Sequence, residues 1–214
     1  MSTKGAVILV RHGQSEANVL KIISCDPTVS VHQHGLTEVG RQQAKETASQ
    51  LLKLIEEKYG ENTTVHILTS DFKRARETAC ELLEIFKEGG LQPSLSLKEG
   101  LRERSFGRLN GESTDKYEEV WKLDAAQEGK DESLGQETTD RVQSRALKVL
   151  EDHQEQISAC GGDSGSESRP SVTVLVAHGD VLQIVQTHFE GQPSFKHRFL
   201  QHIDTGGFRI VNGS

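Results

Sequence analysis

Two long apolar runs end the same way in this chain, and they limit the folds open to it. Ala6-Val7-Ile8-Leu9-Val10 stops at Arg11-His12-Gly13, and Val172-Thr173-Val174-Leu175-Val176-Ala177 stops at His178-Gly179. Runs so rich in β-branched residues, with no alternation of polar and apolar positions, read as strands buried on both faces of a parallel sheet. Between them, helical and strand-like stretches alternate. Thr37 offers an N-cap for a helix to about Lys58, with Ala44, Ala48, Leu51, Leu52 and Ile55 on one face. Residues 65–70 predict a strand. Ser70-Asp71 offers a cap for a helix whose Phe72, Ala75, Ala79, Leu82, Leu83 and Phe86 form an apolar stripe up to Gly89-Gly90.

The rest follows the same alternation. Residues 95–97 predict a short strand, and Tyr117, Val120, Trp121 and Leu123 a short helix. Thr138 or Thr139 opens a longer helix with Val142, Ala146, Val149 and Leu150 turned inward. Residues 180–189 read as a helix and 207–211 as a closing strand. Residues 20–31 contain Pro27 and no clear period, so they read as a loop over the mouth of a site. This order predicts an α/β fold, three layers α/β/α around a mostly parallel sheet. A length of 214 residues fits one domain over 1–214, with the Gly/Ser-rich acidic stretch at about 158–171 as a flexible loop within it.

A net charge of −7 argues against a general nucleic-acid or membrane-surface binder, so an anionic ligand would need locally placed cations. Cys25, Cys80 and Cys160 form no Cys-x-x-Cys pair and suit free thiols in a reducing compartment. The first strand begins within a few residues, which leaves no room for a signal peptide, and no apolar run reaches membrane-spanning length. The expectation is a cytoplasmic protein with neither a nucleic-acid nor a membrane partner. Its oligomeric state is not legible.

If the two long strands are parallel neighbours, His12 and His178 leave the same sheet edge, where ligands bind in open α/β folds. Residues 70–79 straddle a strand end and a helix start, a setting that suits anions. Arg74 and Arg76 lie two apart, so at most one faces such a site. Glu103 follows the third strand; taken alone, a Glu beside three arginines is usually a surface ion pair. Guanidinium groups, two imidazoles and a carboxyl at strand ends suggest a phosphoryl group held by arginine and attacked by histidine. There is no Gly-rich nucleotide loop and no Asp-rich magnesium cluster. Cys25, His32 and His34 fit no closed zinc spacing, so no metal or other cofactor is expected.

These motifs resemble the histidine phosphatase superfamily, the phosphoglycerate-mutase-like fold, over nearly the whole chain. The resemblance rests on Arg11-His12-Gly13 with Ser15-Glu16 and Asn18, and on Leu36-Thr37-Glu38-Val39-Gly40 with Gln43-Ala44. It continues through the Ser-x-x-x-Arg-Ala-x-x-Thr-Ala pattern from Ser70, Leu101-Arg102-Glu103, Gly135-Gln136-Glu137 and Ala177-His178-Gly179. It implies that His12 is the nucleophile, that Arg11, Arg74 and His178 hold the phosphoryl oxygens, and that Glu103 is the proton donor. Asn18 is then a further donor, and Gly13, Ser15, Arg104 and Gly179 line the substrate. The implied enzyme is a metal-independent phosphomonoester hydrolase acting on a small phosphorylated metabolite such as a sugar (bis)phosphate. The alternatives are a bisphosphate-dependent phosphoglycerate mutase and a non-catalytic phosphate-binding or scaffold member.

The segment after Glu103 lacks the long Arg- and Pro-rich insertion of mutases. Lys21-Ile22-Ile23, the Ser-rich insertion and Asp204-Thr205-Gly206 look most like the fructose-2,6-bisphosphatase group that includes the glycolysis and apoptosis regulator. Gln14, His34 and Asp180-Val181 depart from the family pattern at positions expected to line the mouth.

Overall fold

The computed structural model describes residues 6–160 and 170–211. In order the elements are β1 (Ala6–Arg11), α1 (Glu16–Leu20), α2 (Pro27–Ser30), α3 (Glu38–Tyr59), β2 (Thr64–Thr69), α4 (Lys73–Glu88) and β3 (Gln92–Leu97). There follow α5 (Tyr117–Ala126), α6 (Thr139–Cys160), β4 (Ser171–Ala177), α7 (Gly179–Phe189) and β5 (Phe208–Val211). The sheet runs β3-β2-β4-β1-β5, parallel except for β5, which pairs antiparallel with β1.

Side chains alternate across each strand, so the uninterrupted apolar runs feed two cores. Ile8, Val10, Val65, Ile67, Val172, Val174 and Val176 pack under α3 and α4, against Leu51, Ile55, Leu82 and Phe86. Val7, Leu9, Leu175 and Ala177 point the other way, to Val142 and Ala146 of α6 and Leu182 and Val185 of α7. The expected three layers are therefore present. No helix among the described residues is long and apolar enough to cross a membrane.

Helix ends follow local chemistry, with three differences from the sequence expectation. Thr37 caps α3 by accepting from Gly40 N, and Gly60 closes it at φ 86°. Ser70-Asp71 does not cap α4 as expected. Its N-cap is Phe72, with no side-chain cap bond. Ser70 Oγ accepts from Phe72 N at 3.2 Å, and the Asp71 carboxylate is drawn off to Arg102 at 2.6 Å and 2.9 Å. The loop expected over 20–31 contains α2, because Asp26 accepts from Thr28 N and Pro27 takes the first helical position, where its missing N–H costs nothing. The ends of the expected flexible loop belong to regular elements: residues 158–160 complete α6 and Ser171 opens β4. Residues 161–169 of that expectation lie outside the described residues.

One backbone crossing sets where His12 sits. A Cβ on Gly13 would lie 2.3 Å from Gly40 O, and one on Gly40 would lie 2.0 Å from Gln14 O. Gly40→Ala is therefore expected to cost on the order of 3 kcal/mol, since both neighbours are main chain and neither can rotate away. Urea denaturation checks this; a loss below about 1 kcal/mol would mean that the crossing relaxes freely.

Candidate functional site

The β1–β4 register places Arg11 opposite Ala177, so His12 and His178 leave one sheet edge together. Their ring centroids lie 5.2 Å apart at 64°. His12 is buried, and its Nδ1 lies 2.8 Å from Gly13 O. A carbonyl only accepts, so Nδ1 carries the ring hydrogen and Nε2 keeps its lone pair. Arg74 Nε donates to that Nε2 at 3.2 Å. Burial, then Arg74 and Arg11, hold His12 well below the usual imidazole range, so its ring is neutral at neutral pH.

Two guanidinium groups, of Arg74 and Arg11, share the cavity lined by His12, and the His178 ring packs edge-on against the His12 ring. Arg74 rises buried from the first turn of α4, and its Nη2 donates to Ser24 O at 2.9 Å. Arg11 lies against Gly179, where a Cβ would come 3.2 Å from Arg11 Cζ. Its Nη1 donates to Ile203 O at 3.0 Å and to His202 Nε2. His178 Nε2 lies 3.0 Å from Ser70 Oγ; that hydroxyl already accepts from Phe72 N, so its hydrogen can serve Nε2 and leave the ring proton on Nδ1. Arg11 Nε, Arg74 Nη1 and His178 Nδ1 are all buried and make no hydrogen bond among the described residues. An unmet buried donor costs about 1–3 kcal/mol, so the two guanidinium groups in the cavity, with the His178 ring against His12, form a cradle for a ligand rich in acceptors. Arg76 lies outside it, with Nη2 toward Val31 O at 3.4 Å.

Glu103 lines the same cavity of about 510 Å³, together with Arg11, His12 and Arg74. Its Oε1 accepts from Arg104 N at 2.9 Å. Burial, then the Asp180 carboxylate, push its carboxyl up to about 7, while Arg74 and Arg11 pull the other way. A group balanced there can both give and take a proton at neutral pH.

The remaining expected residues divide. Ser15, Asn18 and Gly179 line the cavity. Ser15 and Asn18 close a capping box on α1 through Asn18 Oδ1, which leaves the Asn18 amide nitrogen for a ligand. Gly13 packs on Gly40 and does not line the cavity. Arg104 does not face a substrate. Its fully buried guanidinium is bound by Asp124 at 2.6 Å and 2.8 Å, by Asp180 at 3.2 Å and by Glu137 O at 2.8 Å. Of the three departures noted in the sequence, Asp180 reaches the cavity. Gln14 is taken up by Thr37 Oγ1, and His34 by Ser24 Oγ at 2.8 Å. Among the described residues no three His, Cys, Asp or Glu side chains gather as a metal site.

Sequence reasoning missed Ser24, Tyr117, Trp121, Arg198 and His202 in the lining. Trp121 stacks on Tyr117 with centroids 5.4 Å apart, and the Arg198 guanidinium lies 3.6 Å from the Trp121 ring centroid. A lone Trp in the chain was the one available signal.

A family model for the histidine phosphatase superfamily (branch 1) matches residues 7–213, and the chain belongs to that superfamily. It is 31% identical to a 2,3-bisphosphoglycerate-dependent phosphoglycerate mutase of Bartonella bacilliformis, over 94% of this chain and 88% of that one. A mutase of the same description from Methylorubrum extorquens is 34% identical over 54% of this chain. That match spans 48% of the relative, so the aligned part covers about half its length. A broad-specificity phosphatase of Saccharomyces cerevisiae is 26% identical over 84% of this chain and 67% of its own. Among solved structures, a mycobacterial glucosyl-3-phosphoglycerate phosphatase superposes with a TM-score of 0.70 at 23% identity, covering 98% of this chain and 92% of the other. That likeness shows the fold.

Proposed function

We propose that the chain hydrolyses phosphomonoesters through a phosphohistidine on His12. The observation that carries this reading is the cradle: His12, whose Nε2 lone pair meets Arg74 Nε, shares one cavity with the buried, unpaired Arg11 Nε and Arg74 Nη1. In the first step Nε2 bonds to phosphorus, the ester P–O bond breaks, and Glu103 gives its proton to the leaving oxygen. In the second step water attacks the phosphohistidine and returns a proton to Glu103; the N–P bond breaks and phosphate leaves. Arg11, Arg74 and His178 stabilise charge on the transferring oxygens, with the Asn18 amide as a further donor. The two guanidinium groups supply the positive charge, and the reading requires no metal. Arg198 and His202 in the same lining suit a second anionic or hydroxyl-bearing part of the substrate, such as a sugar (bis)phosphate.

What favours hydrolysis over transfer is the short path from Glu103 to α5, which runs through two single turns at Gly107–Leu109 and Thr114–Lys116 and carries no long insertion over the cavity. The mutase relatives support the second reading, interconversion of phosphoglycerates that depends on a bisphosphate primer.

Glu103→Gln provides the test. Acid catalysis contributes about 10²–10⁴-fold where the leaving alkoxide needs a proton. The variant should lose that much on glycerol phosphate and far less on p-nitrophenyl phosphate, whose leaving anion is stable. Equal losses on both would remove Glu103 from the role. The pH dependence has a fixed sign: the rate on glycerol phosphate falls as pH rises through about 7, where Glu103 loses its proton.

A further inference from the structure

Two carboxyl groups line the cavity that holds His12, and the mechanism above uses only Glu103. The other, Asp180, enters from the first turn of α7, two residues past His178, and is buried. Its Oδ2 accepts from Arg104 Nη1 at 3.2 Å and its Oδ1 from Trp121 Nε1 at 3.0 Å. His197 Nε2 lies 3.3 Å from Oδ1. Burial opposes ionisation of Asp180, but the His197 ring and the Arg104 guanidinium outweigh it and hold the carboxyl far below the usual range. Asp180 is therefore a fixed anion.

Glu103 sits in the opposite setting. Among the described residues no cationic side chain bonds its carboxyl, whose hydrogen bond comes from the main-chain N–H of Arg104. Arg104 thus joins the two carboxyls: its side chain is locked between Asp124 and Asp180, and its backbone holds Glu103. The other groups acting on Glu103 are Arg74 from α4 and Arg11 from β1, and Tyr117 and Cys25 in turn feel its charge.

We propose that Asp180 is a positioning residue for Glu103: it clamps Arg104 so that the main-chain N–H fixes the Glu103 carboxyl, and its negative charge disfavours a second carboxylate in the same cavity. Two carboxyls in one cavity with unlike partners divide into a permanent anion and a proton donor. The inference rests on Glu103 being the proton donor.

The test is the pH profile of kcat/KM for glycerol phosphate. In Asp180→Asn and Asp180→Ala the alkaline limb should move toward acid by about one unit, a loss of about tenfold on that limb beyond any general loss. Arg104 keeps both Asp124 bonds in each variant. Asp180→Glu restores the charge and returns the limb toward its wild-type position. Trp121→Phe disturbs the same wall without changing charge; it should raise KM and leave the limb in place. Folded Asp180 variants with an unmoved limb would overturn the inference, as would Trp121→Phe moving the limb as far as they do. If both charge-removing variants fail to fold, carboxyl-carbon NMR of the wild-type protein decides. Glu103 should titrate near neutrality with Asp180 already ionised, and the reverse order would overturn the inference. Full activity of Glu103→Gln on glycerol phosphate would instead overturn the functional reading beneath it.

Discussion

Replacing His12 by alanine is expected to lower phosphate release from glycerol phosphate by about 10⁴-fold or more while the protein stays folded. The size follows from the site. The Gly13 carbonyl and the Arg74 guanidinium hold the ring so that one lone pair faces the donors. His178, 5.2 Å away, has its Nε2 committed to Ser70 and does not replace it. Brief incubation of the wild-type protein with a phosphorus-labelled substrate should leave an acid-labile, alkali-stable label, and the variant should take up none. Equal rates for the two proteins, or label retained by the variant, would sink the assignment. The same labelled protein separates the two activities. Mixed with phosphoglycerate, a hydrolase sends its label to inorganic phosphate, whereas a mutase sends it to bisphosphoglycerate.

The sheet was legible because its central strands are buried on both faces and therefore written as unbroken apolar runs. The helices were legible because Thr37, Gly60 and Gly89 mark their ends with local chemistry. The meeting of His12 and His178 followed from two His-Gly pairs at strand ends, and of Arg74 and Arg76, spaced two apart, Arg74 lines the cavity. What sequence could not show is how a side chain reaches across the fold. Arg104 adjoins Glu103 in the chain, yet successive extended residues point to opposite sides, and Asp124 and Asp180 claim its guanidinium from 20 and 76 residues away. Arg198 lies in a 3-10 turn with no periodic pattern, so nothing nearby announced its place over Trp121. Gln14 and His34 were expected at the mouth but do not line the cavity: Thr37 takes up Gln14, and Ser24, itself in the lining, takes up His34. Errors of this kind come from long-range pairing of polar groups, which a hydrophobic pattern does not encode.

The buried group around Arg104 carries the largest stability prediction. Arg104 is fully buried, with Asp124 and Asp180 on its guanidinium and His197 Nε2 4.0 Å from Asp124 and 3.3 Å from Asp180. Substituting an apolar side chain for both members of a buried pair can be nearly neutral, whereas removing one partner strands a charge at a cost of about 3–5 kcal/mol. Arg104→Met leaves two buried carboxylates, so its loss should reach at least that range at neutral pH, lowering Tm by on the order of 10 °C in a chain of this size. The pH dependence separates this cause from simple loss of packing. In the wild type Asp180 is held well below its ordinary value of 3.8, so its contribution is present above that value and is lost as pH falls through the folded one. In the variant Asp180 loses the share of that lowering that Arg104 supplies, so the deficit against wild type should be full at neutral pH and narrow as pH falls below about 4. Urea denaturation of both proteins across that interval measures it, and a deficit that stays constant with pH would assign the loss to packing rather than to charge.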